Sequence, residues 1–257
     1  MRVKIWIILR NAVIACFLLN YGQLAYAEVI EIHNPIADDS QPAFLDCAEN
    51  DKPAIVYLHG WLQTYNAHLI TNMADLAAEQ GWSFIAPNFR DRGLLERGGF
   101  RLAIEDIRQS IKIVRRSCEA SRIYLFGTSG GGFMALNFYK RHPNLIDRMA
   151  TTGAITSLNR WRSFLQGNPL ESRFVPEIDQ LCDNSKRRCR RLSPLPDMPK
   201  IEVPTIIIHA RNDDVVPVGM AVRLDRRQRD NPNLVLRLKN TGVHTPRVDI
   251  AMRFFKR

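Results

Sequence analysis

The chain has 257 residues, 46% hydrophobic and 24% charged. That balance excludes a disordered chain, and the length suffices to bury a sizeable core. Fourteen glycines and fourteen prolines exclude collagen-like and low-complexity classes, and no repeat of fixed period suggests a solenoid or propeller. The net charge is +10.

Met1–Ala27 reads as an export signal. Arg2 and Lys4 precede the apolar runs Ile5–Leu9 and Ala12–Leu19, and Ala25-Tyr26-Ala27 supplies a small-x-small end. Arg10 interrupts the apolar stretch, which favours a cleaved signal over a spanning helix. The alternative is an uncleaved anchor, the one case in which a membrane is expected as a partner. Cleavage removes three cations and no acid, lowering the net charge from +10 to +7. Residues 28–257 are then expected to form one α/β domain, periplasmic or secreted. Cys47, Cys118, Cys182 and Cys189 remain, and their three possible pairings stay open. Cys182 with Cys189 would close a short loop, leaving Cys47 for Cys118. An oxidising compartment suits both bridges. No cysteine or histidine pair stands at zinc-ligand spacing, so no metal is expected.

Strands and helices alternate through the rest. Ala54–Leu58 is a continuous apolar run, as a strand buried on both faces requires. A helix follows over about 66–80, closed by Gly81. Further strands are predicted at Trp82–Ala86, Arg122–Phe126, Ile146–Thr152, Val203–His209 and Leu234–Leu238. Helices are predicted at Leu102–Cys118, Gly130–Arg141, Val218–Arg229 and after Pro246. This alternation implies a mainly parallel sheet with helices on both faces. Ala154–Lys200 breaks the rhythm with five prolines and the run Lys186-Arg187-Arg188-Cys189-Arg190-Arg191. It is too long for a plain loop and reads as a lid-like insertion. Its basic run, without interleaved aromatics, reads as a solvated surface, and no nucleic acid is expected.

The chemistry centres on Gly127-Thr128-Ser129-Gly130-Gly131. This composition yields roughly 0.03 Gly-x-Ser-x-Gly matches by chance, and here a buried strand precedes the motif and a helix follows it. A sharp strand-to-helix turn needs small flanking residues and lifts Ser129 Oγ out of the sheet edge. The helix N-terminus adds free amides and partial positive charge. A serine hydroxyl needs a base. Of the six histidines, His244 lies in a loop between the last strand and the last helix, where such sheets place active groups. An acid must hold the imidazole tautomer, and Asp213 and Asp214 both follow the Ile206–Ile208 strand. The order Ser, Asp, His is that of α/β-hydrolases. His59-Gly60-Trp61 follows the first clear strand, so the amides of Trp61 and Gly130 are the expected oxyanion donors. The Trp61 ring serves either as core or as pocket wall.

These landmarks resemble the α/β-hydrolase superfamily. Ile201-Glu202-Val203-Pro204, Ile208-His209 and Asn212-Asp213-Asp214-Val215-Val216-Pro217 are similar to the acid-bearing segment of prolyl-oligopeptidase-like (S9) catalytic domains and dienelactone-hydrolase-like esterases. In that pattern a Val-Pro pair ends four positions after the acid, which implies Asp213. Ala210 stands where the family usually has glycine. The oligopeptidases carry a propeller before this domain, and no glutamate pair for a peptide terminus is assignable here. The resemblance therefore implies a cofactor-independent serine hydrolase acting on a small or polymer-borne ester. Peptide hydrolysis and a non-catalytic binding role are the alternatives.

Overall fold

In the computed structural model, residues 27–48, 51–90 and 99–257 are described. The expected export segment, apart from Ala27, lies outside them. Among the described residues no helix is long and apolar enough to cross a membrane.

Eight strands form one sheet: β1 (Glu28–Asn34), β2 (Asp39–Asp46), β3 (Ala54–Leu58), β4 (Ser83–Pro87), β5 (Ile123–Thr128), β6 (Arg148–Thr152), β7 (Thr205–Ala210) and β8 (Leu234–Lys239). Their order is β1-β2-β4-β3-β5-β6-β7-β8. The run from β4 to β8 is parallel, while β2 pairs antiparallel with both β1 and β4. Helices α1 (His68–Ala78), α2 (Gly99–Ser117), α3 (Gly130–Arg141), α4 (Leu158–Leu165), α5 (Glu171–Leu181), α6 (Lys186–Leu192), α7 (Gly219–Arg227) and α8 (Val248–Phe255) surround it. This is the α/β-hydrolase architecture that the sequence implies.

Two-residue periodicity divides the core. Ile55 and Tyr57 of β3, with Tyr124 and Phe126 of β5, face α1 and α8. Val56, Leu58 and Leu125 face α2 and α3. Tyr124 stacks on Phe255 with ring centroids 5.1 Å apart. Burial pushes the Tyr57 phenol up to about 12, against the pull of its hydrogen bond with Thr128.

The hairpin β1–β2 has no counterpart in the predicted elements, so β3 is the third strand rather than the first. Pro42 argues against a central strand. It lies just beyond the ladder to β4, which runs only from Ala43 to Asp46. Val29 points outward at 59% exposure, weakening the apolar alternation. His33 sits within β1.

The hairpin is locked to the sheet by a buried polar cluster. Asn34 donates to Leu102 O (2.9 Å) and to Asp106. Arg90 Nε donates to Asp106 (2.9 Å), and its terminal nitrogens fork onto Asp39. Asp106 is fully buried, and burial raises its carboxyl above the ordinary range while Asn34 and Arg90 pull it back. We expect Arg90→Met to cost roughly 3–5 kcal/mol in urea denaturation, because buried Asp106 loses its ion-pair partner. The double variant Arg90→Met/Asp106→Leu should recover most of that loss; a loss equal to the single variant's would mean that packing, not charge, sets the effect.

Both disulfides form: Cys47–Cys118 and Cys182–Cys189. Two bridges fit an oxidising environment. The stretch expected to be lid-like holds α4, α5 and α6. Pro176 lies inside α5, and the basic run is α6, with Ser185 accepting from Arg188 N at its start. Arg188 pairs with Asp183.

Candidate active site

The carboxyl ends of β3, β5, β6 and β7 converge on one cavity of about 320 Å³. At the end of β5 the chain turns sharply into α3, and Ser129 occupies the turn with φ 52° and ψ −115°. A positive φ at a non-glycine residue is strained and is held only by its surroundings. Those are tight. Ser129 N donates to Thr152 O at 2.8 Å. A Cβ on Gly131 would lie 2.0 Å from Leu58 O, and one on Gly127 would lie 2.3 Å from Gly131 O. Glycine at both positions is therefore a packing requirement. The Ser129 hydroxyl does not cap the helix.

Opposite, Gly60–Gln63 form a turn closed by Gln63 N to Gly60 O (3.1 Å), with Gln63 Oε1 accepting from Gly60 N (2.9 Å). Leu62 takes φ 66° in it. The closing bonds use the amides of Gly60 and Gln63, not that of Trp61. Trp61 N sits against Gly130: a Cβ there would be 2.9 Å from it. Gly130 opens α3, so its amide has no acceptor within the helix. The two expected oxyanion donors thus lie side by side. The Trp61 ring is both core and wall. It packs on Phe133 (6.3 Å between centroids) and Trp161 (5.6 Å), and it lines the cavity. His59 is a structural residue here: it is buried, stacks on Phe89 at 4.3 Å, and its Nδ1 is 3.0 Å from Gly60 O.

Asp213, in the loop after β7, is the acid that meets His244. His244 Nδ1 and Asp213 Oδ2 are 2.8 Å apart. The other carboxylate oxygen accepts from Val215 N (3.0 Å) and Val216 N (2.8 Å). Asp214 is exposed. Burial alone would raise the Asp213 carboxyl, but hydrogen bonds from His209, His244 and Val216 outweigh it and hold it well below the ordinary carboxylate range. Ser129 and His244 line the same cavity; no hydrogen bond joins them among those of the described residues. Serine–base contacts are often loose before substrate binds.

Three further features complete the site, of which the sequence marked only His209, within the acid-bearing segment. Fully buried His209 sends Nε2 to Val216 O at 2.8 Å and lies 3.4 Å from Asp213 Oδ2, so it braces the acid loop from beneath. Gly153 approaches the imidazole so closely that a Cβ would lie 2.9 Å from His244 Cε1. The insertion supplies a whole wall: Trp161, Leu170, Arg173 and Phe174. Trp161 Nε1 donates to Val215 O at 2.8 Å, pinning α4 to the acid loop. Among the described residues no cluster of three metal-ligating side chains occurs.

A family model described as alpha/beta hydrolase fold matches residues 53–177. The chain has that fold, and within it resembles S9-type peptidases. The acylaminoacyl peptidase of Pyrococcus horikoshii is 19% identical, with TM-score 0.73 over 90% of this chain and 40% of that one. A puromycin-hydrolyzing peptidase from Mycobacterium tuberculosis is 17% identical, with TM-score 0.72 over 92% and 39%. Est1E from Butyrivibrio proteoclasticus is 15% identical, with TM-score 0.66 over 88% and 94%. The chain thus spans about two-fifths of the peptidases it matches and nearly all of Est1E.

Proposed function

We propose that the protein is an exported serine hydrolase that cleaves carboxylic esters, with Ser129 as nucleophile, His244 as base and Asp213 as its orienting acid. The observation that carries this reading is the 2.8 Å Asp213–His244 hydrogen bond in a cavity that Ser129 also lines. With Nδ1–H held by Asp213, the imidazole turns a free Nε2 lone pair toward the substrate. Ser129 Oγ attacks the carbonyl carbon as Nε2 takes its proton. The amides of Trp61 and Gly130 hold the oxyanion, aided by the positive end of α3. His244 returns the proton to the departing alcohol. It then deprotonates the water that hydrolyses the acyl-enzyme.

The substrate reading rests on the cavity. Trp61, Trp161, Leu170 and Phe174 give it an apolar wall suited to an acyl or alcohol group. Among the described residues, its one acidic lining residue is Asp213, which is bonded to His244. Peptide hydrolysis is the second reading, favoured by the peptidases among the structural neighbours. The two disulfides, together with the basic and apolar Met1–Ala27 segment, support export.

A fluorophosphonate probe tests the nucleophile. Purified protein should be labelled on Ser129, and Ser129→Ala should take no label and lose hydrolysis of p-nitrophenyl esters by at least about 10⁴-fold. Label on the Ala variant, or none on the wild type, would overturn the assignment. Faster turnover of peptide anilides than of esters would move the peptidase reading to the front.

A further inference from the structure

We propose that the protein binds an acidic glycan in an arginine-lined groove separate from the candidate active site. The groove, of about 870 Å³, collects Arg160 from α4, Arg190 from α6, and Arg223, Arg226 and Arg227 from α7. Among the described residues, no acidic one lines it. None of the five groove arginines has an ion pair among the described residues, and all five are exposed. Helix α4 borders both concavities, Trp161 on the cavity and Arg160 on the groove, yet the two share no lining residue.

Five unpaired like charges in one concavity repel one another and hold counterions. An occupant bearing several oxyanions relieves the repulsion and releases those ions. Guanidinium forks match carboxylate and sulfate oxygens two at a time. A flat membrane cannot reach into a concavity, so the occupant is a discrete chain. Among the described residues, Phe164 is the sole aromatic one lining it, where single-stranded nucleic acid would call for successive stacking platforms. Phe164, Leu195 and Pro196 instead offer an apolar strip for the carbon faces of sugar rings, flanked by cations for their acid groups. The site stands whether or not the hydrolase reading holds.

The test is binding of a heparin decasaccharide by the full protein across a salt series. The wild type should bind, with affinity falling steeply as salt rises. The groove variant Arg160→Gln/Arg190→Gln/Arg223→Gln should bind at least about tenfold more weakly near 0.1 M salt, with its log–log salt slope shallower by about 2. The charge-matched variant Arg101→Gln/Lys112→Gln/Arg116→Gln, on α2, should lose less than about threefold. Should the triple groove variant fail to fold, Arg190→Gln/Arg227→Gln gives the same comparison with a several-fold loss. Equal losses from the groove and α2 variants would reduce the effect to net charge and overturn the proposal. So would absence of binding by the wild type at low salt, or tighter binding of an equally charged oligodeoxynucleotide.

Discussion

Asp213→Asn should lower kcat by about 10⁴, whereas Asp214→Asn should change it less than about threefold. The asparagine amide can donate to His244 Nδ1, which flips the imidazole to the tautomer bearing its proton on Nε2. That tautomer cannot take the proton of Ser129. The asparagine Oδ1 can still accept from Val215 N and Val216 N, so the loop is kept and the loss falls on the imidazole tautomer. Equal losses from the two variants would reject Asp213 as the orienting acid. The same carboxylate makes a statement about stability. Its proton affinity is depressed in the folded protein, so the unfolded chain binds the proton more readily. Its stabilising contribution is therefore complete above the ordinary aspartate range, near pH 4, and is lost as pH falls below it. The stability difference between wild type and Asp213→Asn, followed by urea denaturation, should narrow over that acid interval.

Gly131→Ala should destabilise the fold by more than about 3 kcal/mol and abolish hydrolysis. The added methyl would sit 2.0 Å from Leu58 O and 2.4 Å from His59 O. Both are backbone atoms at the end of β3, with no rotamer to yield. Helix α3 must then lift from the sheet, carrying Ser129 and the Gly130 amide away from Trp61. Gly219→Ala is the matched control: nothing lies within 4 Å of its Cβ position, at the start of α7. It should leave the urea midpoint unchanged or raise stability by up to about 1 kcal/mol. A Gly131→Ala variant within 1 kcal/mol of wild type would contradict the close approach of α3 to β3.

The parallel half of the sheet was legible because burial on both faces writes itself as unbroken apolar runs. Ala54–Leu58 and Thr205–Ala210 are buried at every position. The hairpin β1–β2 was not, since its outer strand alternates weakly and Pro42 interrupts the inner one. The insertion hid its helices behind prolines. Pro176 is in fact accommodated inside α5, where sequence alone suggests a break. At the site, the glycine-flanked serine and the chain order of serine, acid and base pointed to residues that line one cavity. What stayed hidden were partners defined only by distance. His209 looked like a strand-end histidine, Gly153 like an ordinary glycine, and Trp161, Leu170 and Phe174 like the apolar content of an irregular segment.

The Cys47–Cys118 bridge has a consequence for how the molecule is made. It closes a 71-residue separation that contains β3, α1, β4, α2 and the Gly60–Gln63 turn, while Ser129, Asp213 and His244 all lie beyond it. Closing a loop of that length removes about 4 kcal/mol of chain entropy from the unfolded state. In a reduced chain the loop that carries the Gly60–Gln63 turn would lose this covalent tie. The bridge thus ties the stability of the fold around the Gly60–Gln63 turn to an oxidising environment.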